Sequence, residues 1–146
     1  MNKQYLTWAD IDMCMGYLYP LCDELDITHV IGINRGGLIP AVILSHMLGK
    51  PHVPITITLR HGWPTIDVSD NAKDILNDER NTIAVVDDIN DSGATFDNLY
   101  NKVEISAKLY DIVLFDRASS QWDVHLSAKT IHNDDWIVFP WEDRNE

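Results

Sequence analysis

Cationic side chains are scarce. Lys and Arg number 11 against 23 Asp and Glu, for a net charge of −12. Such a chain lacks the phosphate-neutralising surface that non-specific nucleic-acid binding requires, so no nucleic-acid partner is expected. The deficit does not forbid a small anionic substrate: backbone N–H groups, one arginine or a bound cation act at short range, while salt screens the distant field. Long apolar runs are also missing. None approaches the roughly 20 residues that cross a bilayer, and no membrane partner is expected. The opening residues Met1-Asn2-Lys3-Gln4-Tyr5 contain no apolar signal-peptide core, so a cytoplasmic location is expected. Cysteine is limited to Cys14 and Cys22, spaced so that a straight helix keeps their sulfurs apart. They are read as buried thiols in a reducing compartment. Neither His-Glu-x-x-His nor Cys-x-x-Cys occurs among the scattered histidines, and no zinc site is expected.

What is present is an alternation of strand and helix patterns in a chain long enough for one domain with a real core. Thr7 reads as an N-cap, with Asp10 completing an approximate capping box. Trp8, Ile11, Cys14, Met15, Leu18, Leu21, Cys22 and Leu25 then fall on one helical stripe, which Pro20 should kink or divide. Residues 29–33 form a short buried strand, followed by a helix to about Met47 that Gly49-Lys50-Pro51 stops. Residues 53–59 alternate Ile and Thr as strands do. Between 60 and 80 the pattern fades into Gly, Pro, Asp and Asn; an exposed hairpin or mobile loop is expected there, with a short element near 73–76. A strand at 82–88, a helix at about 94–105, a strand at 112–115 and a last short strand in 135–142 complete the order. Strands alternating with helices imply an α/β fold with a mostly parallel sheet and a ligand site at the C-terminal edge of the strands.

The densest information lies in residues 83–95, Ile-Ala-Val-Val-Asp-Asp-Ile-Asn-Asp-Ser-Gly-Ala-Thr. An apolar strand ends in two acids, Asp87 and Asp88; Asp91 then opens a small-residue turn, Ser92-Gly93-Ala94-Thr95, ahead of a helix. Paired carboxylates at a strand end bind sugar hydroxyls or a hard cation. A glycine-containing turn into a helix presents N–H groups to a phosphate. Acids beside a turn are also common as solvated residues and N-caps, and Asp-Asp alone does not decide between the two. A second strand-to-helix turn, Asn34-Arg35-Gly36-Gly37-Leu38-Ile39-Pro40, offers backbone that a ligand can approach closely and a fixed positive charge. Alone it also fits an ordinary glycine-rich turn with an exposed arginine. On one parallel sheet both turns emerge at the same edge. Two facing anion-binding turns suit a substrate with a phosphate at one end and a diphosphate at the other.

The run from Asp87 to Thr95 resembles the phosphoribosyl-diphosphate (PRPP) signature of type I phosphoribosyltransferases. Together with Arg35 to Pro40 and the tail Trp136-Ile137-Val138-Phe139-Pro140-Trp141-Glu142, it is similar to the bacterial xanthine–guanine and, more broadly, hypoxanthine–guanine phosphoribosyltransferases. The similarity covers most of the chain and is weakest at 60–80. It implies a single domain over residues 1–146: a mostly parallel sheet flanked by helices, a mobile lid at about 60–80, and a small hood at about 130–146 that binds the purine. It implies a purine phosphoribosyltransferase acting in purine salvage, which moves the 5-phosphoribosyl group of PRPP to guanine, xanthine or hypoxanthine and releases diphosphate. It further implies Mg²⁺ as cofactor and a homo-oligomer of two or four chains.

By the same resemblance Asn34, Arg35, Gly36 and Gly37 bind the diphosphate. Asp87 and Asp88 hold the ribose hydroxyls and magnesium, and Asp91, Ser92, Gly93, Ala94 and Thr95 cradle the 5′-phosphate. Asp91 doubles as general base near purine N7; Trp136 stacks on the purine and the Ile137 backbone reads its edge. Asp88 and Glu142 are the metal residues, Glu142 standing where relatives carry Asp. A departure is Asp116-Arg117-Ala118 in place of Ala-Lys-Pro, which leaves Arg117 to donate to the 6-oxo group. Arg117 also suits an ion pair with Asp116 or Asp123, Trp136 a core position, and Glu142 plain solvation. Two other readings of the chain stay open: a PRPP-binding regulator without turnover, and a transferase for a non-purine acceptor.

Overall fold

The protein is described from a computed structural model, which covers residues 2–59 and 63–142. In chain order the elements are β1 (Lys3–Tyr5), α1 (Trp8–Asp23), β2 (His29–Asn34), α2 (Leu38–Leu48), β3 (His52–Thr58), β4 (Thr65–Asp67), α3 (Asp70–Leu76), β5 (Thr82–Asn90), α4 (Ala94–Lys102), β6 (Lys108–Arg117), β7 (Leu126–Ile131) and β8 (Trp136–Val138). Six strands form the main sheet in the order β4-β3-β2-β5-β6-β7. All its pairings are parallel except β3 with β4. This is the mostly parallel, helix-flanked α/β sheet expected of a type I phosphoribosyltransferase.

Strand alternation sorts the core into two layers. Val30, Ala84, Val86, Ile112 and Leu114 pack with α1 and α2 on one face; Ile31, Ile33, Ile83, Val85 and Val113 pack with α3 and α4 on the other. β1 and β8 form a separate parallel pair at the end of the first layer, with Lys3 opposite Trp136. The tail is pinned there by an aromatic series: Phe139 stacks on Trp141 at 4.9 Å, and Phe115 and Trp8 flank the two rings at 5.9 and 5.8 Å.

The Thr7 capping box forms as expected, Asp10 N–H donating to Thr7 Oγ1 and Thr7 N–H to Asp10 Oδ2. Cys14 and Cys22 are buried free thiols, and burial pushes that of Cys22 up to about 11. Several expectations are corrected. Of the two outcomes expected at Pro20, division does not occur: helix α1 continues through it. Trp8 and Leu21 leave the buried stripe, Trp8 being half exposed against Trp141. Helix α4 stops at Lys102, where Val103 turns extended, short of the expected 105. β5 and β6 run on to Asn90 and Arg117, because pairing between them holds Ile89 to Phe115 and Asn90 to Asp116. In the expected 60–80 loop, residues 60–62 lie outside the described residues. Beyond them the expected hairpin and short element both form, as β4 paired antiparallel with β3 and as α3, whose Ala72 and Leu76 are buried.

Candidate active site

β2, β3, β5 and β6 end on one sheet edge at Asn34, Thr58, Asn90 and Arg117, and every predicted site residue within the main sheet's connections lies along it. The first turn is tied to its neighbours by Asn34 Nδ2, which donates to Thr56 Oγ1 at 3.0 Å, and by Gly37 N–H, which donates to Ile33 O at 2.9 Å. The Asn34–Arg35 peptide is cis. Gly37 caps α2 without a side-chain acceptor, while its own N–H and that of Leu38 are taken up by the Ile33 and Arg35 carbonyls. The glycines are required for room. A Cβ on Gly36 would lie 2.0 Å from Asp88 Oδ2, and one on Gly37 would lie 2.5 Å from Val86 O and 2.8 Å from Asp87 Cα. The first turn therefore rests directly on the acids of β5.

The second turn starts where β5 ends. Gly93, at φ 94°, is the N-cap of α4 and again supplies no side-chain cap. A cavity of about 280 Å³ is lined by Asp87, Asp88 and residues 91–95, with Leu59 at its border. Leu59 also borders a neighbouring cavity of about 570 Å³ formed by Asn34, Arg35 and residues 56–58. The two turns thus open side by side across one acidic floor.

That floor is electrostatically unrelieved. Asp87 is buried, and burial together with the Asp88 charge pushes its carboxyl well above the usual range. Burial likewise raises Asp88. Their hydrogen bonds are local: Asp88 N–H to Asp87 Oδ1 at 2.9 Å and Ile89 N–H to Asp88 Oδ1 at 2.8 Å. Among the described residues neither acid pairs with a cationic side chain. Glu142 is raised too, by burial and by Asp88 across the cavity. Hard oxygen donors in mutual repulsion fit a divalent cation. Among the described residues no three metal-binding side chains cluster. Two carboxylates, however, are what Mg²⁺ commonly takes from protein when substrate phosphates complete its shell.

A further cavity, about 470 Å³, lies between this floor and the tail. Asp88, Asp91, Arg117, Trp136, Ile137 and Glu142 all line it, so residues far apart in sequence share one wall system. Trp136 is more than half exposed, with its ring available at the cavity instead of in the core. Sequence reading missed Asp134, Asp135 and Phe139 on the same wall, and Thr56 and Leu59 beside the first turn. The only sequence signal for Asp134 and Asp135 is their adjacency to Trp136.

Arg117 departs from its expected ion-pair partners. Its Nε donates to Asp91 Oδ1 at 2.5 Å, while Nη1 and Nη2 donate to the carbonyls of Asn133 at 2.7 Å and Asp135 at 3.1 Å. Asp116, its neighbour on β6, instead accepts from Asn90 Nδ2 at 2.9 Å, because successive strand residues point to opposite faces. The rigid guanidinium fork thereby joins the start of the second turn to the loop before Trp136.

A family model described as phosphoribosyl transferase domain matches residues 4–143. A xanthine-guanine phosphoribosyltransferase of Cereibacter sphaeroides is 29% identical over 121 residues, which cover 77% of this chain and 68% of that one. The crystal structure of a purine phosphoribosyltransferase from Pyrococcus horikoshii superposes with a TM-score of 0.85 at 29% identity, covering 98% and 96% of the two chains. A Helicobacter pylori xanthine-guanine-hypoxanthine phosphoribosyltransferase gives a TM-score of 0.78 at 18% identity over 96% and 92%, a likeness of fold.

Proposed function

The chain belongs to the phosphoribosyl transferase domain family, and from that premise we propose that it transfers the 5-phosphoribosyl group of PRPP to a 6-oxopurine (guanine, xanthine or hypoxanthine) and releases diphosphate. The observation that carries this reading is the cavity in which Trp136 and Ile137 face Asp88 and Asp91, beside the second turn. A planar base against the indole would bring its ring nitrogens toward a ribose held over the two acids.

Breaking the anomeric C–O bond leaves positive charge on the sugar and negative charge on the departing diphosphate. Arg35 and the backbone N–H of Gly36 stabilise the leaving group, with Asn34 and Gly37 shaping its seat, and the carboxylates of Asp87 and Asp88 stabilise the cationic ribose. Asp91, with Oδ1 fixed by Arg117, accepts the purine N7 proton as N9 bonds to the anomeric carbon. Arg117 retains N–H groups beyond those it uses in the protein and can donate one to the 6-oxo oxygen. Asp88 and Glu142 would hold Mg²⁺, which supplies charge neutralisation for the diphosphate. The unit acts as one domain over residues 1–146, with 130–146 forming the purine hood. Salvage in the cytoplasm and assembly into dimers or tetramers follow from the resemblance.

The deciding assay mixes protein, Mg²⁺ and PRPP with a panel of bases and measures diphosphate release. Release with guanine, xanthine or hypoxanthine is the expected outcome. Release only with adenine or a pyrimidine would move the acceptor assignment. PRPP binding without release for any base would make the chain a sensor.

A further inference from the structure

The second turn is braced from outside the site by a buried carboxylate that plays no part in the chemistry above. Asp111, on β6, is fully buried, and both its oxygens are engaged: Oδ1 accepts from Tyr100 Oη at 2.8 Å and Oδ2 from Trp122 Nε1 at 2.9 Å. Its backbone N–H donates to His125 Nδ1 at 2.9 Å, and the His125 N–H returns to Asp111 O at 3.0 Å. These bonds fasten both ends of the 120–125 loop to β6.

The fastened loop presses on the turn at two points. Gln121 N–H donates to Ser92 O at 3.0 Å. The backbone N and Cβ of Trp122 both stand 2.7 Å from where a Gly93 Cβ would be. A third tie comes through Asn90, itself 2% exposed: its Nδ2 donates to Trp122 O at 2.8 Å as well as to Asp116. The chain of contacts runs Asp111, Trp122, Gly93, from a point in the core to the residue that sets the opening of the turn.

Resting on the reading that residues 92–95 cradle the 5′-phosphate, we propose that Asp111 and Trp122 are positioning residues for that cradle: the Asp111 carboxylate fixes the indole, and with it the Trp122 backbone and Cβ that stand against Gly93. Phosphate recognition by backbone N–H groups depends on their direction to within a fraction of an ångström, so a brace that sets the turn also sets affinity for the phosphate. Among the described residues the first turn has no such tie to the 120–125 loop, being seated on β5, and diphosphate recognition is independent of the brace.

Trp122→Phe keeps an aromatic ring against Tyr100, which stacks on Trp122 at 5.0 Å, but removes the N–H that Asp111 Oδ2 accepts. Tyr100→Phe is the matched control. It strips the other oxygen of the same carboxylate, keeps its ring, and its hydroxyl touches no residue of the turn. Calorimetric titration in Mg²⁺ buffer with ribose 5-phosphate, and separately with diphosphate, reads the two cradles apart. Trp122→Phe should weaken ribose 5-phosphate binding about three- to tenfold, the weight of one hydrogen bond, with diphosphate binding unchanged. Tyr100→Phe should leave both affinities at wild type, although denaturant unfolding shows both variants less stable. Ser120→Ala, which removes the hydroxyl bonded to Trp122 N at 3.2 Å, should follow Trp122→Phe with a smaller effect and little risk to folding. Equal weakening by Trp122→Phe and Tyr100→Phe, loss of both ligands together, or no effect of Trp122→Phe would each overturn the proposal. Wild-type protein that binds neither ligand would instead remove the site reading on which it rests.

Discussion

The turn between β2 and α2 and the turn between β5 and α4 stand side by side on one sheet edge, yet they are held from opposite directions. The first is seated inward: Gly36 and Gly37 lie against Asp88, Val86 and Asp87. Gly37 has an ordinary φ of −75°, so glycine serves there to make room. The second is held outward, by Trp122 and the loop around it, and Gly93 adopts a φ of 94° that other residues rarely take. The same residue type answers a packing need in one turn and a packing and dihedral need in the other. The functional groups differ as well: the first turn carries a cation, Arg35, and the second opens on a carboxylate, Asp91. On the proposed reading, one turn would hold the leaving group and the other would combine holding with proton transfer.

The sharpest break of that comparison separates Asp91 from Arg35. Asp91→Asn should lower kcat by about a hundredfold or more where proton transfer limits the rate, with PRPP affinity close to wild type. Arg35→Ala should do the reverse in kind, raising the dissociation constant for diphosphate about tenfold through loss of a charge-assisted contact. Steady-state kinetics and calorimetry on both variants give a crossed pattern if the turns divide the work as described. Wild-type turnover in Asp91→Asn would remove Asp91 as the base, and unchanged diphosphate affinity in Arg35→Ala would remove the arginine from the leaving-group site.

The glycines test how each turn is held. Gly37→Ala forces a Cβ against three backbone atoms at 2.5 to 2.8 Å, none of which can rotate away. An overpacking cost of about 1–3 kcal/mol follows, read as a lower denaturant midpoint. Gly36→Ala meets only the Asp88 carboxylate, a side chain that can shift, so function should fall further than stability. Gly93→Ala meets Trp122 and adds about 1–2 kcal/mol of dihedral strain. If Gly36→Ala is as unstable as Gly37→Ala, the first turn is not seated on a movable carboxylate.

Legibility in the sequence followed the range of the interaction. The Thr7 capping box, the stop at Gly49 and the strand cores of β2, β5 and β6 are set by near neighbours, and each was read correctly within a few residues. β1 was missed because its three residues are ordered by pairing with β8 at the other end of the chain. β7 was missed because its pattern is weak: as an edge strand it buries only Ile131 fully. The strand ends that shape the site, Ile89 with Asn90 and Asp116 with Arg117, stay extended because they pair with each other. Arg117 was recognised as a departure from the family pattern, but its partners, Asp91 and the 133 and 135 carbonyls, come from segments that only the folded sheet edge brings together. The Asp111 brace left no local signature at all, since an acid inside an apolar strand becomes meaningful only beside Tyr100 and Trp122.

The acidic floor shared by the two turns makes a smaller prediction, in pH. Asp87 and Asp88 have an ordinary value of 3.8 when unfolded and are raised in the folded protein, first by burial and, for Asp87, next by the charge of its neighbour. A group raised on folding binds its proton more tightly in the native state. Its stabilising contribution is complete below the unfolded value and is lost as pH climbs through the folded one. Asp111, raised by burial, acts in the same direction. Asp78 has the opposite sign. Its hydrogen bonds to Arg80 hold it down at about 2, and its contribution disappears only as pH falls below 3.8. Asp78 acts below this interval, but His29 and His52, lowered by burial, act within it and in the opposite direction, so the floor is read against a variant: from about pH 4 toward neutrality the ligand-free melting temperature of the wild type should fall relative to that of Asp87→Asn. Mg²⁺ with PRPP stabilises the ionised floor, so the gain in melting temperature on adding both should grow across the same interval. A wild-type melting temperature that does not fall relative to Asp87→Asn between pH 4 and 7 would mean that the floor acids are relieved by donors in solution, and the proposed cation site would then lack the unsatisfied charge on which it depends.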